Sequence, residues 1–235
     1  MSNGNLPLVT VITVVYNGAA TLESTIKSVL DTNYTNLEFF VIDGCSSDET
    51  LSIIKKYSKV ISYWISEPDK GIYDAMNKGW AHAALESYIL FLGSGDRIIS
   101  FPAIRNNNHK QIFFGEVYKG EQLYKSVHNF KLKLGNTIHH QALLIPKLLH
   151  PEPPFDLRYK IYADFDFNQR LNKRGIRFEK CDDFKVYALP DGISTVKRED
   201  EMLSIVYKNY GQGMKCLALI YYKLQKLKSL IGKKK

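Results

Sequence analysis

The chain has 235 residues, of which 45% are hydrophobic and 24% charged, a composition typical of a folded globular domain and unlike that of a disordered segment. No run of about 18 apolar residues occurs, and the first residues lack the basic start and apolar stretch of a signal peptide, so we expect neither a membrane-spanning helix nor a secretory leader. The three cysteines are isolated, which indicates a reducing cytoplasm and argues against a structural zinc site.

The net charge of +8 is concentrated at the C-terminus. Seven lysines and no acidic residue lie between positions 215 and 235, which leaves a net charge of only +1 on everything before them. A nucleic-acid-binding domain carries its basic side chains on the folded body, so this distribution predicts no nucleic-acid partner.

The first hundred residues alternate between β-branched or aromatic runs, which predict strands, and segments whose apolar residues recur at helical spacing. The predicted strands are Leu8–Val15, Leu37–Ile42, Val60–Ile65 and Ser87–Leu92, and the predicted helices are Thr21–Leu30, Asp48–Tyr57 and Ile72–Leu85. This alternation predicts an α/β fold with a mostly parallel central sheet flanked by helices, in which ligands bind at the carboxyl ends of the strands.

The pattern changes after Asp96. Short strands are predicted at Gln111–Val117, Gln122–Val127 and Gln141–Ile145, with one or two more in Arg177–Ala188, and helices at Ile161–Lys173, Glu199–Tyr210 and Met214–Ile231. No linker separates two folding units. We therefore predict one domain over residues 1–210, with a donor half to about residue 97 and an acceptor half after it, followed by a basic amphipathic helix over residues 211–235.

Two common phosphate-binding signatures are absent from the sequence. It contains no G-x-x-x-x-G-K-[ST], and the residues after the first strand, Tyr16-Asn17-Gly18-Ala19-Ala20, do not form G-x-G-x-x-G. A nucleotidyltransferase is the alternative enzyme class that combines an α/β sheet with a carboxylate-bound metal. It would need a glycine-rich and basic phosphate loop after the first strand, which this chain lacks.

Polar residues instead end each predicted strand of the first half, and further polar motifs follow in the second. In chain order these are Thr13-Val14-Val15-Tyr16-Asn17, Val41-Ile42-Asp43-Gly44-Cys45-Ser46-Ser47-Asp48, Glu67-Pro68-Asp69-Lys70-Gly71-Ile72-Tyr73-Asp74-Ala75-Met76-Asn77-Lys78-Gly79, Phe91-Leu92-Gly93-Ser94-Gly95-Asp96, His139-His140-Gln141, Pro154-Phe155-Asp156, Ala163-Asp164-Phe165-Asp166-Phe167 and Gly192-Ile193-Ser194. Together, over about residues 8 to 195, they resemble family 2 glycosyltransferases of the GT-A fold, and within that family the bacterial enzymes that build surface polysaccharides.

The resemblance implies an inverting transfer of a sugar from a nucleotide diphosphate donor, a UDP-sugar, to a hydroxyl of a glycan or lipid-linked glycan. It implies that the donor binds at Val15, Tyr16, Asn17, Asp43, Asp69, Lys70, Asp74, Asn77, Ser94 and Asp96. The residue types suit this role, since the Tyr16 ring can stack on a base and the Asp43 carboxylate can accept hydrogen bonds from a ribose or a base N–H. The alternative interpretation is that Asp43 is a turn residue and that residues 69–78 are a solvated helix start.

Asp96 is the predicted ligand of a divalent metal, Mg²⁺ or Mn²⁺, that stabilises the departing diphosphate. The family motif often reads D-x-D, whereas here Ser94 stands at the first carboxylate. The metal is therefore expected on Asp96, the donor's phosphates and water, with His140 as a further ligand. The missing carboxylate leaves a second alternative open, a nucleotide-sugar-binding scaffold without catalysis, and His140 can instead be a polar residue at the start of a strand.

Asp164 and Asp166 stand two residues apart at the start of a predicted helix, so their side chains project about 200° apart and serve different tasks. By resemblance, Asp164 is the general base that removes the acceptor proton, and Asp166 orients a loop or binds the acceptor. Both can alternatively compensate the dipole of the helix start. The segment Asp191-Gly192-Ile193-Ser194 resembles one that closes over the donor, with Lys197 or Arg198 able to reach the diphosphate.

The C-terminal segment has its apolar residues at helical spacing, at Leu217, Ile220, Tyr221, Leu224, Leu227 and Ile231, with lysines beside them. Such a helix can lie on an anionic membrane surface, or it can pack on the domain with its lysines in solvent. The first alternative predicts a cytoplasmic protein held on the inner face of the cell membrane, close to a lipid-linked acceptor.

Overall fold

The computed structural model describes residues 6–104, 109–190 and 198–232. Its first half is the predicted alternation of β1 (Val9–Val15), α1 (Leu22–Leu30), β2 (Leu37–Asp43), α2 (Thr50–Lys56), β3 (Tyr63–Ser66), α3 (Ile72–His82) and β4 (Tyr88–Gly93). The four strands pair in parallel in the order β3-β2-β1-β4. All seven residues of β1 are buried, because this strand lies inside the sheet with helices on both faces.

The second half extends the same sheet with strands of both directions. It contains β5 (Arg97–Ser100), β6 (Gln111–Lys119), β7 (Gln122–Tyr124), β8 (Leu143–Pro146), α4 (Ala163–Lys173), β9 (Arg177–Ala188) and α5 (Glu199–Gly232). From β4 the sheet continues in the order β8-β6-β9-β5, with antiparallel pairing at β4-β8, β8-β6 and β9-β5. β6 and β7 pair as an antiparallel hairpin around Gly120. The predicted α/β fold is confirmed, and its parallel pairing is confined mainly to the first half.

Two elements differ from their predicted form. The strand expected from Gln141 begins at Leu143, because His140–Ala142 forms a 3-10 turn instead. The strand Arg97–Ser100 is not predicted, since four residues give no periodic signal. The two predicted C-terminal helices are both present within α5, and they are separated at Gly211, whose φ of 82° and ψ of −178° are not helical.

The core consists of two hydrophobic clusters, one on each face of the sheet. One cluster joins α3, α4 and α5 to the sheet, and the other joins α1 and α2. α3 lies close to β1 because Gly79 has no side chain, and a Cβ there would come within 2.5 Å of the Ile12 Cγ2 atom. Among the helices of the described ranges, none is both long and apolar enough to cross a lipid bilayer.

Candidate active site

The loops that follow β1 and β2 are joined to each other by hydrogen bonds. The Asn17 amide donates to the Ser46 hydroxyl at 2.7 Å, and the Asn17 side-chain oxygen accepts from the Ser47 amide at 2.9 Å. The Gly18 amide donates to the Thr50 hydroxyl at 2.9 Å. Asn17 has a φ of 49°, a left-handed conformation that asparagine tolerates well. These bonds fasten the loops after β1 and β2 to each other at the carboxyl edge of the sheet.

Tyr16, the first residue after β1, lies at this edge of the sheet with 67% of its surface exposed. Beside it, the Val15 carbonyl accepts a hydrogen bond from the Gly44 amide at 2.9 Å. A Cβ on Gly44 would meet Asp69 Oδ2 and would lie 3.5 Å from Tyr16 Cδ2, so Gly44, Asp69 and Tyr16 lie close together. The predicted donor residues Val15, Tyr16 and Asp69 therefore meet at one edge of the sheet.

Asp43, by contrast, is fully buried at the end of β2. Its Oδ2 accepts hydrogen bonds from the Ser46 amide at 3.1 Å and the Ser66 hydroxyl at 2.6 Å, and its Oδ1 accepts from the Ser46 hydroxyl. The carboxylate thus fastens the loop after β2 to the end of β3. Of about four acceptor positions on a carboxylate, one is left for another donor.

The residues that lead into α3 mainly organise the start of that helix. Asp69 Oδ1 accepts from the Gly71 amide at 2.8 Å, and Asp74 Oδ2 accepts from the Lys70 amide at 2.9 Å. Gly71 has a φ of 115°, a conformation that favours glycine. The side chain of Lys70 is exposed at the helix start. Of this group, Lys70 is the residue that remains available for an anion.

Asn77 connects the two halves of the chain. Its side-chain amide donates to the Phe155 carbonyl at 2.8 Å, and its side-chain oxygen accepts from the Phe155 amide at 2.9 Å. Both ends of the Asn77 side chain are therefore engaged by the backbone of the Pro154-Phe155-Asp156 motif. This arrangement positions the acceptor half against α3.

Asp96 lies in the turn after β4 and is 5% exposed. Its Oδ2 accepts from the Gly93 amide at 2.8 Å, and its Oδ1 accepts from the Leu189 amide at 2.9 Å. Burial raises the pKa of Asp96, and these two amides act in the opposite direction. The neighbouring Ser94 hydroxyl lies 2.8 Å from the Thr21 hydroxyl. Asp96 therefore joins the end of β4 to the end of β9.

Asp164 is the centre of a buried polar cluster on the acceptor side. Its Oδ1 accepts from the Phe165 amide at 2.8 Å and lies 3.1 Å from the Tyr73 hydroxyl. Its Oδ2 lies 3.2 Å from both the Asn136 side-chain nitrogen and His140 Nδ1. Burial would raise the pKa of Asp164, but the hydrogen bond and charge of His140, with the Phe165 and Tyr73 bonds, hold that pKa below its ordinary value. Asp164 is therefore ionised at neutral pH.

His140 and Gln141 connect this cluster to Asp96. His140 faces Asp164, whereas the Gln141 side chain lies beside Asp96 and acts to lower the pKa of that carboxyl. The Gln141 side chain is buried, and its oxygen has no hydrogen-bond partner among the described residues. Two consecutive residues of one 3-10 turn thus bring the predicted donor-side and acceptor-side carboxylates into a single site. His140 Nδ1 is engaged by Asp164, and the role of His140 as a metal ligand beside Asp96 stays a prediction.

Asp166 has a different environment. It is fully buried and accepts hydrogen bonds from Arg170 Nε at 3.0 Å, from Lys208 Nζ at 3.1 Å and from the Asn209 side chain at 3.0 Å. The predicted divergence of Asp164 and Asp166 is confirmed. The expected role of Asp166 in a loop or in acceptor binding is not what these contacts indicate, because its partners join α4 to α5.

Three residues of this region were not identified from the sequence. Tyr73 lies within a quoted motif but reads as an ordinary buried helix residue, and Asn136 lies in a loop without a motif. Glu201, in α5, accepts hydrogen bonds from the Ile161 and Tyr162 amides and so fixes the chain just before Asp164. The segment 191–197, expected to close over the donor, lies outside the described residues, and Arg198 contacts Asp200 at 3.5 Å.

Few side chains near Asp96 could serve as further ligands of a metal ion. No group of three or more His, Cys, Asp or Glu side chains comes together within the described ranges. The Asp96 carboxylate is an oxygen ligand of the kind that Mg²⁺ and Mn²⁺ prefer, and Mg²⁺ is commonly held by one or two carboxylates plus substrate phosphates. The donor set therefore fits a cation that takes one protein carboxylate and its other ligands from a diphosphate and water.

Comparison with known proteins supports the recognition made from the motifs. Residues 10–97 match the family model described as "Glycosyl transferase family 2". An uncharacterized glycosyltransferase of Mycobacterium tuberculosis is 44% identical over 92 residues, which cover 39% of this chain and 35% of that protein. A PGL/p-HBAD biosynthesis glycosyltransferase of Mycobacterium bovis is 29% identical over 180 residues, 70% of this chain and 69% of that protein. The alignment to the first relative thus spans about a third of its length.

Solved structures extend the likeness to most of the chain. S. aureus TarS 1-349 in complex with UDP superposes with a TM-score of 0.65 at 19% identity, over 86% of this chain and 65% of that one. The mannosyltransferase PcManGT from Pyrobaculum calidifontis, in complex with GDP-Man and Mn²⁺, superposes with a TM-score of 0.57 at 16% identity, over 93% and 75%. The resemblance to family 2 glycosyltransferases is confirmed, and the fold is the GT-A fold.

Proposed function

We propose that this chain is an inverting glycosyltransferase that moves a sugar from a UDP-sugar to a hydroxyl of a glycan or lipid-linked glycan in bacterial polysaccharide biosynthesis. The observation that carries the proposal is the junction at His140 and Gln141, which joins Asp96 and Asp164 in one site. A sugar held between a diphosphate at Asp96 and an acceptor at Asp164 can be attacked from the side opposite its leaving group, and such attack inverts the anomeric carbon.

On the donor side, the nucleoside binds over the loops that follow β1 and β2. The exposed ring of Tyr16 offers a face for a base, and Asp69 lies beside it. TarS has been crystallised with UDP and with UDP-GlcNAc, which supports a UDP-sugar here. Lys70, at the amino end of α3, is positioned to meet phosphate charge.

Asp96 would hold a divalent cation, Mg²⁺ or Mn²⁺, and when bound this cation would supply positive charge to the departing diphosphate. PcManGT, which shares the fold, carries Mn²⁺ with its nucleotide sugar. Asp96→Asn should reduce metal-dependent transfer by about 10²-fold or more. It should also lower thermal stability, since its NH₂ group would face one of the two backbone amides that donate to the carboxylate. Transfer by the parent protein that persists in excess EDTA would contradict a role for the cation.

The acceptor side carries the proton chemistry. As the acceptor oxygen bonds to the anomeric carbon, its proton passes to the Asp164 carboxylate, and the carbon–oxygen bond to the diphosphate breaks with its electron pair leaving on the diphosphate. The cluster is buried and ordered by α3, α4 and the 3-10 turn, so its groups need no rearrangement before reaction.

For its location we propose the cytoplasmic face of the cell membrane, with α5 against anionic lipid. The second part of α5 exposes Leu217, Ile220, Leu224 and Leu227, each at least 50% exposed, and lysines accompany them. Apolar and basic residues together on a helix surface favour an anionic membrane. Binding there would bring the site close to a lipid-linked acceptor.

A panel of nucleotide diphosphate sugars, each with Mg²⁺ or Mn²⁺, tests the proposal by thermal shift and by release of the nucleotide diphosphate. A ligand at 100 times its Kd stabilises a protein by roughly 2.7 kcal/mol, which is readily measured. We expect UDP and one UDP-sugar to raise the melting temperature, and that sugar to be transferred when glycan acceptors are added. A shift with no UDP release in the presence of any acceptor would favour a binding scaffold.

A further inference from the structure

The hairpin of β6 and β7 and the chain after it lie next to the acceptor side of the site. The Val127 amide donates to the Thr137 carbonyl at 2.9 Å, and the Thr137 hydroxyl donates to the Val127 carbonyl at 2.7 Å. Three positions earlier, the Tyr124 ring meets the His139 ring edge-on, with the ring centroids 5.0 Å apart. The chain after β7 therefore runs alongside the segment that leads to His140, in the opposite direction.

That segment also contacts the carboxylate proposed to take the acceptor proton. The Asn136 side chain donates to Asp164 Oδ2 at 3.2 Å, and His140 Nδ1 lies 3.2 Å from the same oxygen. Two side-chain contacts and the peptide bond from His139 to His140 thus separate the Tyr124 ring from the Asp164 carboxylate. A glycan that presents a hydroxyl to Asp164 can extend its further sugar units over the hairpin.

The hairpin and the chain after it place aromatic rings beside ammonium groups at the protein surface. Tyr124 is 43% exposed, and Lys119 Nζ lies 5.5 Å from the centroid of its ring. Phe130 is 56% exposed, and Lys133 Nζ lies 5.4 Å from the centroid of that ring. Each pair offers a ligand an apolar ring and a positive charge side by side. Residues 119–133 are called the hairpin surface.

The hairpin surface is positively charged. After Glu121, at the hairpin turn, the sequence has no Asp or Glu until Glu152, and four lysines stand in between, of which one, Lys147, is buried. Among the described residues, four lysines of the hairpin surface make no ion pair with a carboxylate: Lys119, Lys125, Lys131 and Lys133. A concentration of positive charge without carboxylate partners favours an anionic ligand.

We propose that the hairpin surface binds the acceptor, and that the acceptor is a glycan carrying carboxylate or phosphate groups, an inference that rests on the proposed glycosyl transfer. The sugar that reacts presents its hydroxyl to Asp164. The next units lie across Tyr124, with an anionic group at Lys119. The aromatic ring supplies apolar contact area for a sugar ring, and the ammonium makes a charge-assisted hydrogen bond to the anionic group. The surface thereby selects charged glycans over neutral ones.

An anionic membrane is the other partner that basic and apolar residues together can fit. Tyr124 and Val127 are 43% and 42% exposed, so more than half of each is covered by the protein, and they extend less far than the four exposed residues of α5, which are 50–59% exposed. In the hairpin surface only Phe130 is as exposed as those. The contact between Tyr124 and His139 also joins this surface to the site itself, as an acceptor-binding surface requires.

Two matched double variants test the proposal. Tyr124→Ala with Lys119→Gln removes one ring and its ammonium. Tyr207→Ala with Lys215→Gln is the control, because it removes a similar pair on α5, in which Tyr207 is 54% exposed and Lys215 Nζ lies 5.5 Å from the ring centroid. Transfer by the parent protein to a microarray of charged and neutral bacterial glycans, with the UDP-sugar found by the panel, identifies a water-soluble acceptor for kinetics.

We expect the glycans that the parent protein modifies to carry carboxylate or phosphate, and their KM to be at least about tenfold below that of neutral counterparts. Tyr124→Ala with Lys119→Gln should raise the acceptor KM about 10- to 100-fold, the value of one hydrogen bond to a charged group, and should change the KM for the UDP-sugar less than about threefold. The control variant should stay within about threefold for both. Salt at about 1 M should raise the acceptor KM of the parent protein more than that of the hairpin variant.

Melting temperatures show whether each variant is folded, and Lys119→Gln alone carries the comparison if Tyr124→Ala is destabilising. A parental acceptor KM in the hairpin variant would overturn the proposal, and so would transfer to neutral glycans with equal KM. Loss of sedimentation with phosphatidylserine vesicles at an unchanged acceptor KM would assign the surface to lipid and would overturn it too.

Failure of the proposed function gives a different result. A parent protein that neither binds nor turns over any nucleotide sugar would count against glycosyl transfer itself. A parent protein that releases UDP from its donor but modifies no charged glycan on the array would count against the hairpin surface alone.

Discussion

At the scale of single residues, the same side chain type performs different tasks according to its partners. Asp164 contacts the side-chain amide of Asn136 and the imidazole of His140 within the candidate site. Asp166 instead binds two cationic side chains, those of Arg170 and Lys208, between α4 and α5. The helical spacing of the two residues is enough to predict that they diverge. It does not predict the partners, because Lys208 and Asn209 lie more than 40 positions along the chain and only the folded packing brings them near.

Asp166→Asn should therefore destabilise the fold and should leave the chemistry largely intact. Breaking a buried ion pair by removing one partner costs about 3–5 kcal/mol, but Arg170 and Lys208 are each about a third exposed and can be rehydrated, so we expect about 2 kcal/mol. Urea denaturation measures this loss. Asp182→Asn is the control, because its pair with Lys180 lies in solvent and should contribute little to the stability. Equal stability of the two variants would show that the contacts of Asp166 do not stabilise the packing of α4 against α5.

Asp43 illustrates the limit of a motif as a guide to contacts. The sequence places a carboxylate at the end of β2, and the structure shows it bonded to Ser46 and Ser66 with no exposed surface. The motif cannot reveal this, because both serines are small, common residues whose positions depend on how two loops fold over each other. Direct contact with the nucleoside remains a prediction.

Asp43→Ala should weaken UDP binding by about 10- to 100-fold, the value of one hydrogen bond to a charged group, as measured by titration calorimetry. Ser66→Ala is the matched control, because it removes one bond that holds the loop and keeps the carboxylate. A loss confined to Asp43→Ala would indicate direct contact with the nucleoside, and an equal loss in both would indicate loop positioning. Unchanged affinity of Asp43→Ala would refute the nucleotide role.

At the scale of elements, the sequence is most informative where burial is complete. β1, β2 and β4 are found within one residue of their predicted bounds, because β-branched runs in a parallel sheet are apolar on both faces. β3, whose residues are only partly buried, begins three residues later than predicted. The second half is harder, because its strands are short and pair in both directions. The turn His140–Ala142 has no periodic signal in the sequence, although it positions His140 beside Asp164.

Gly79 tests how closely α3 must approach the sheet. Alanine there would place its Cβ 2.5 Å from Ile12 Cγ2, so we expect Gly79→Ala to lose about 1–2 kcal/mol, despite the gain of up to about 1 kcal/mol in helix propensity. Gly213→Ala is the control, because that glycine lies in α5 with no neighbour within 4 Å and should gain up to about 1 kcal/mol. Thermal denaturation of both variants measures the difference. A stabilised Gly79→Ala would mean that α3 has room to move away.

At the scale of the whole molecule, the two alternatives for the C-terminal helix are membrane binding and packing on the domain, and each applies to a different side of the helix. Ala218 is fully buried, and the Tyr222 hydroxyl donates to the Leu134 carbonyl at 2.6 Å, so this side packs on the domain. Leu217, Ile220, Leu224 and Leu227 lie on the opposite side in solvent. Apolar spacing alone could not separate the two sides, because both carry large apolar residues. Packing of α5 on the domain therefore leaves these four residues as an exposed apolar stripe that can contact another surface.

The double variant Ile220→Glu with Leu224→Glu tests whether that surface is lipid. Each side chain is 55% exposed, so the substitutions should change the free energy of unfolding by less than about 1 kcal/mol. They remove apolar area and add two negative charges, so sedimentation with anionic phosphatidylserine vesicles should be lost. About 1 M salt should weaken binding of the parent protein too, because the Debye length falls to about 3 Å.

Tyr222→Phe is the matched control for the opposite side of the helix. It deletes the hydroxyl that bonds to the Leu134 carbonyl, so it should lower the stability by about 1 kcal/mol and leave vesicle binding unchanged. The two variants thus separate lipid binding from packing, since each should affect one measurement and spare the other. Vesicle binding by the double glutamate variant at the parental level would show that the stripe does not meet lipid, and the proposed location on the membrane would then lose its support.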